Sequence, residues 1–299
     1  MPQWLNQSRS LMDRAAVSGR RWREMVARSL MARRLALAGS RASAWHSRVE
    51  LWLDGERGCA LDTSGVGEKA LPLASSGDVG AALAVVEALA PTPAKRGLHT
   101  LRVIVGAPFV CYFPLSWRPI PTPEDWVAQA RTQFARGGFG NPGGWRFVVP
   151  DAAWGQSRLA AAMPEALCAG IERLCATRKL RIAGIEPGYV CACRDYAARI
   201  EDGRIAVVEL EDIAADGAIA HCGFRAAGQW TAFVTLPVAG PVLAHIDDAM
   251  RDATMLCGVE APERTYVIGT VREARAEPGD ADDTAGTMHW LPTPWEIPR

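Results

Sequence analysis

Three carboxylates fall within one short stretch at Glu209, Glu211 and Asp212, and a second acidic pair, Asp54 and Glu56, brackets Gly55. Acids this close together can attract a hard cation such as Mg²⁺, which prefers oxygen ligands. His245, Asp247 and Asp248 offer imidazole and carboxylate on one predicted helix, but residues two or three apart do not converge on a single point, so a solvated face is expected there. His46, His99, His221 and His289 are scattered and stand in no nucleophile or metal motif. The cysteines at 59, 111, 168, 175, 191, 193, 222 and 257 form no CxxC pair. Cys168 and Cys175 share an apolar helical stripe with Leu167, Ile171 and Leu174, where a free thiol acts as a small hydrophobe. Cys191 and Cys193 lack a nearby histidine, which makes zinc a poor fit. Gly65-Val66-Gly67 and the glycines at 137, 138 and 140 do not sit between a strand and a helix start, as a dinucleotide or phosphate loop would. The expectation is a protein with no catalytic residue, no cofactor and no metal, in a reducing cytoplasm.

The elements that would carry these residues come in two similar series. In the first, Arg48 to Asp62 reads as two strands around a glycine turn, Asp78 to Leu89 as a helix, and Leu101 to Trp117 as two more strands. In the second, Arg204 to Glu211, Gly217 to Phe224 and Gln229 to Leu236 read as strands, Val242 to Leu256 as a helix and Thr265 to Gly269 as a strand. Between the two series lie a helix from Glu124 to Phe134, a glycine-rich loop from Gly137 to Gly144 and a strand from Trp145 to Pro150. A helix from Pro164 to Arg178 is expected to link the two halves.

This repeated plan resembles the actin-like ATPase fold. Within it, the spacing of Val103 to Trp117, Glu124 to Phe134, Trp145 to Pro150 and Ile182 to Tyr189 resembles the cytoplasmic assembly-platform proteins of type IV pili and type II secretion, PilM-like and GspL-like respectively. The likeness covers roughly Ser47 to Ala274. In nucleotide-binding members the first hairpin carries an Asp-x-Gly turn whose backbone amides hold phosphate. The matching turn here runs Leu53, Asp54, Gly55, Glu56, Arg57, Gly58, so that Asp and Gly are adjacent and Glu56 stands where phosphate would sit. The second phosphate turn matches Val207 to Asp212, where three acids and no glycine would repel a triphosphate. The resemblance therefore implies a non-enzymatic scaffold that binds a cytoplasmic peptide of an inner-membrane platform protein. The alternatives are a weak actin-like ATPase and a peripheral membrane-binding protein.

Length and charge fit that class. A chain of 299 residues can hold two subdomains, and a net charge of zero gives no global field to recruit nucleic acid. The charge is unevenly spread: residues 1–50 hold ten arginines and no lysine against Asp13, Glu24 and Glu50. Along Arg20 to Leu37 the residues Trp22, Met25, Val26, Leu30 and Leu37 recur near helical spacing, framed by Arg20, Arg21, Arg33 and Arg34. Such a basic amphipathic helix can lie on an anionic bilayer, dock a partner groove or be a solvated helix ahead of the domain; a transit peptide has a similar composition. No run of eighteen apolar residues occurs, so no membrane span is expected. A GspL-like cytoplasmic domain continues into a membrane helix; the PilM-like branch is the better match. At the other end, residues 275–299 start acidic and then turn aromatic and proline-rich, which predicts a flexible tail whose Trp290 and Trp295 pack onto this chain or a partner.

The sequence thus predicts an α/β protein with duplicated actin-like, ribonuclease H-like subdomains at 47–150 and 151–274, preceded by the basic segment 1–46 and followed by the tail 275–299. It is expected to be cytoplasmic and peripheral to the inner membrane, with a homo-oligomer left open.

Overall fold

The computed structural model describes residues 46–61, 67–93, 97–213, 217–239, 242–269 and 287–295. Residues alternate along β1 (His46–Leu53), so that Leu51 and Leu53 share one face and Glu50 and Trp52 the other. β1 pairs antiparallel with β2 (Arg57–Leu61), and β2 pairs antiparallel with β3 (Gly67–Pro72). Helix α1 (Val79–Leu89) begins at Asp78, whose Oδ1 accepts from the Ala81 amide at 2.7 Å and satisfies a donor that the helix itself cannot. The crossover through α1 allows β4 (Leu98–Val105) to return parallel to β1.

The chain then builds a side layer. β5 (Cys111–Leu115), β6 (Trp145–Val148) and β7 (Arg158–Pro164) form an antiparallel sheet in the order β5-β7-β6. Helix α2 (Pro123–Arg136) closes it, and Phe113, Trp126, Phe134 and Phe147 fill its separate core. Helix α3 (Glu165–Arg178) packs on α1, where Gly170 makes room: a Cβ there would lie 2.5 Å from Leu83. β8 (Arg181–Pro187) follows, parallel to β4, and completes a first sheet of order β3-β2-β1-β4-β8.

The short helix α4 (Gly188–Asp195) leads into the second half. β9 (Ile205–Ile213), β10 (Gly217–Ala226) and β11 (Gln229–Ala239) form an antiparallel meander, and α5 (Val242–Cys257) lies over β10 and β11. Ile246, Ala249, Met250 and Ala253 form the buried stripe of α5 at helical spacing. β12 (Arg264–Gly269) runs parallel to β9, and β13 (Thr287–Pro292) parallel to β12, giving the order β11-β10-β9-β12-β13. Both sheets therefore follow one plan: a three-strand meander whose first strand takes two further parallel strands beside it. That is the ribonuclease H-like order, and its duplication in a single chain is the actin-like plan. The largest hydrophobic cluster spans both sheets, joining Leu51, Trp52 and Ile104 to Ile205, Val207 and Ile268.

Three sequence expectations change here. The first sheet does not end at Pro150, because its fifth strand, β8, comes after the side layer. The helix expected to link the halves lies inside the first half and carries the chain from β7 to β8. The segment expected to be a flexible tail contains β13, the fifth strand of the second sheet; an edge strand accommodates Pro292 because the outer side of an edge needs no amide donor. Among the described residues no helix is long and apolar enough to cross a membrane.

Candidate functional site

The turn between β1 and β2 is where a nucleotide-binding relative would present amides to phosphate. Here every amide of the turn is already used. Asp54 N donates to the Arg57 carbonyl at 3.0 Å, and Gly55 N to the Ala107 carbonyl at 2.7 Å. Glu56 N and Arg57 N both donate to Asp54 Oδ1, at 2.9 and 2.8 Å, while Asp54 Oδ2 accepts from Trp52 Nε1 at 3.0 Å. Burial nonetheless raises the Asp54 carboxyl above its ordinary value, outweighing these donors. The sequence places Glu56 in the phosphate position; in the structure Asp54 occupies the amide nest, because its short side chain reaches the amides two and three residues ahead of it. Gly55 is required by close approach, since a Cβ would lie 2.4 Å from Pro108.

The second acidic group is not at a turn. Glu209 and Glu211 lie along β9 and point to the same side, where both are buried, at 3% and 8% exposure. The expectation of acids on a turn fails because β9 runs on to Ile213, held along its length by β10. Glu211 Oε2 accepts from the Ala107 amide at 2.8 Å, across the gap to the first half. Its Oε1 lies 3.1 Å from His221 Nε2, and His221 Nδ1 lies 2.9 Å from Thr235 Oγ1. Gly106 is the close-approach position on the other side: a Cβ would sit 2.7 Å from Glu211 Oε2 and 2.8 Å from Trp52. Glu209 has no such support. Its Oε2 is buried without a hydrogen-bond partner, and burial, followed by the neighbouring Glu211 charge, pushes its carboxyl well above the usual carboxylate range.

Helix α4 lies between the sheets, touching β4 and β8 on one side and β9 on the other. On the first-sheet side Arg102 is clamped between Glu186, at 2.9 Å through both Nε and Nη2, and Glu50 at 3.1 Å. Arg194 of α4 adds a bond to Glu186 at 2.9 Å. Burial would raise the Glu186 carboxyl, but the Arg102 hydrogen bonds and the charges of Arg102 and Arg194 hold it at about 2. On the second-sheet side Tyr189 is fully buried; its amide donates to Tyr112 Oη at 3.1 Å and its hydroxyl to the Val207 carbonyl at 2.9 Å. The C-terminal strand makes the reverse crossing. Just past β13, Trp295 is 5% exposed and stacks on Trp52 of the first sheet with ring centres 4.8 Å apart. Trp290, on β13 itself, is half-buried against the second core under α5.

Among the described residues no group of three metal-ligating side chains comes together. The cysteines are free, and burial pushes Cys168 up to about 11 and Cys222 to about 12, so neither is a thiolate at neutral pH. His245, Asp247 and Asp248 are exposed on α5, and Asp248 pairs with Arg251. Arg20, Arg21, Trp22, Arg33 and Arg34 lie outside the described residues. The residues that sequence reasoning passed over are Arg102, Tyr189, His221 and Thr235. A lone histidine and a lone arginine inside apolar strand patterns were the available signals.

No family model matches the sequence, and no curated protein matches it. Solved structures do. The chain is similar to the cytoplasmic domain of EpsL, an inner-membrane component of the type II secretion system of Vibrio cholerae, at 9% identity over 82% of this chain and 89% of that one, with a TM-score of 0.46. It is similar to the PilM-PilN type IV pilus biogenesis complex at 14% identity, 82% and 88% coverage and a TM-score of 0.49. A third is a Bacteroides thetaiotaomicron protein with an actin-like ATPase fold and unknown function, at 7% identity, 82% and 90% coverage and a TM-score of 0.47. From its two strand orders, this chain is an α/β protein of the actin-like fold, two ribonuclease H-like halves joined across a shared core.

Proposed function

We propose that the protein is a non-catalytic scaffold at the cytoplasmic face of a type IV pilus or type II secretion platform, binding a peptide segment of an inner-membrane partner. The observation that carries the non-catalytic part is the β1–β2 turn, where all four amides from Asp54 to Arg57 are bonded within the protein. A triphosphate brought there would have to displace Asp54 and would meet the acids of β9, in a setting where amide donors and cations are what phosphate needs. The sequence resemblance to assembly-platform proteins supports the cellular role. In this reading Arg20, Arg21, Trp22, Arg33 and Arg34 contact an anionic bilayer or the partner, each basic residue near such a surface contributing about 1 kcal/mol.

The test is crosslinking of the full-length protein in cells, followed by identification of what is captured. The reading expects a membrane protein, crosslinked through a segment on its cytoplasmic side. Recovery of soluble proteins alone would overturn it. Changing Arg20, Arg21, Arg33 and Arg34 to Ser should reduce pelleting with anionic vesicles, and equal pelleting would remove the membrane-contact part.

A further inference from the structure

Helix α4 is gripped on its two sides by opposite electrostatics. Toward the first sheet, the carboxylate at Glu186 is matched by Arg102 and Arg194. Toward the second, Glu209 meets Tyr189 and Cys193 from α4, Tyr112 from β5, His221 directly across on β10 and Glu211 two residues along its own strand. None of these gives Glu209 Oε2 a hydrogen bond; Arg102 is held in its own clamp, and Arg225, whose Nε is itself buried without a partner, directs Nη2 to Gly228 and Asp202 instead. His221 is committed to Glu211 and Thr235. A neutral carboxyl can stay in such a place, whereas a carboxylate cannot without drawing in water or moving a neighbour.

We propose that the joint between α4 and the second sheet is a proton-linked latch, closed while Glu209 keeps its proton and loosened when Glu209 releases it. The contact that gives way is the one between α4 and β9, carried by the Tyr189 hydroxyl on the Val207 carbonyl, because β9 itself is held by β10 on one side and β12 on the other. Thr235 is exposed, and the hydrogen-bonded chain Thr235–His221–Glu211 runs from the surface to the strand neighbour of Glu209. The direction follows from linkage. A carboxyl raised by folding contributes stability fully below its ordinary value of 4.5 and loses that contribution as the pH rises through its folded value.

The experiment is unfolding of the full chain in urea, with proton release recorded at about pH 6 and stability followed from about pH 5 to about pH 9. The parent should release about one more proton on unfolding than Glu209→Gln, and its folding equilibrium should fall by up to about tenfold per pH unit, a trend absent in the variant. Equal proton release and parallel pH profiles would overturn the latch. Should Glu209→Gln fail to fold, amide exchange of the parent decides, after correction for intrinsic exchange chemistry. Protection lost at Tyr189 to Cys193 while β4 keeps its own supports the latch; uniform change in both contradicts it.

Discussion

The first sheet buries a guanidinium between two half-buried acids, and the second buries acid beside acid. Arg102 is 5% exposed and donates to both Glu50 and Glu186, so the first arrangement is a closed ion network. Glu209 and Glu211 share a face of β9, and the histidine opposite them on β10 is already bonded to Glu211 and Thr235, so only one of the two is supported. The same strand plan thus holds two different joints: one that charge locks, and one that depends on a proton. The crossings at the ends of the fifth strands differ in kind as well. Tyr189, after β8, reaches the second sheet with a hydrogen bond; Trp295, after β13, reaches the first with a ring stack.

The largest effect is expected at the locked joint. Arg102→Ala removes the buried guanidinium that ties Glu50 to Glu186, leaving them only their outer partners Arg48 and Arg194, and should cost about 3–4 kcal/mol in urea unfolding. A loss below about 1 kcal/mol, the range of a surface pair, would mean that the ion network does not hold the first sheet to α4. Next comes Trp295→Ala, which removes a buried ring from the seam and should cost about 3 kcal/mol. An unchanged melting temperature would make the C-terminal crossing incidental. The acid limb follows. Because Glu186 is held at about 2 in the folded protein, its contribution is present above its ordinary value of 4.5 and lost as pH falls toward 2. Glu186→Gln should flatten that limb by about 2 kcal/mol, allowing for partial exposure. The smallest effect is Tyr189→Phe, about 1 kcal/mol from one hydrogen bond. If it exceeds Trp295→Ala, the two crossings have been ranked in the wrong order.

Much of the fold was legible because strand alternation and helical periodicity are local. β1, β9 and β10, α1 and α5 fall where the residues predict them. What escaped was non-local. Glu209 and Glu211 close a predicted strand but match a phosphate turn of the resembled fold; that they are buried depends on Ala107, which is distant in sequence, and on His221 across the ladder. Residues 287–295 read as a proline-rich tail because nothing within them reveals the open edge of β12 that they pair with. The clamp on Arg102 joins residues from β1, β4 and β8, three strands that only the parallel crossovers bring together. The acidic character of the β1–β2 turn was legible, but not which acid fills it, since that choice rests on the geometry of Asp54 against its own backbone.

The central claim is that the protein's own side chains fill the place a nucleotide would take. Calorimetry of the full-length protein with ATP and Mg²⁺ tests it most directly. The account predicts no measurable binding; a dissociation constant below about 100 µM, or about −5.5 kcal/mol, that weakens when Gly55 is replaced would contradict it.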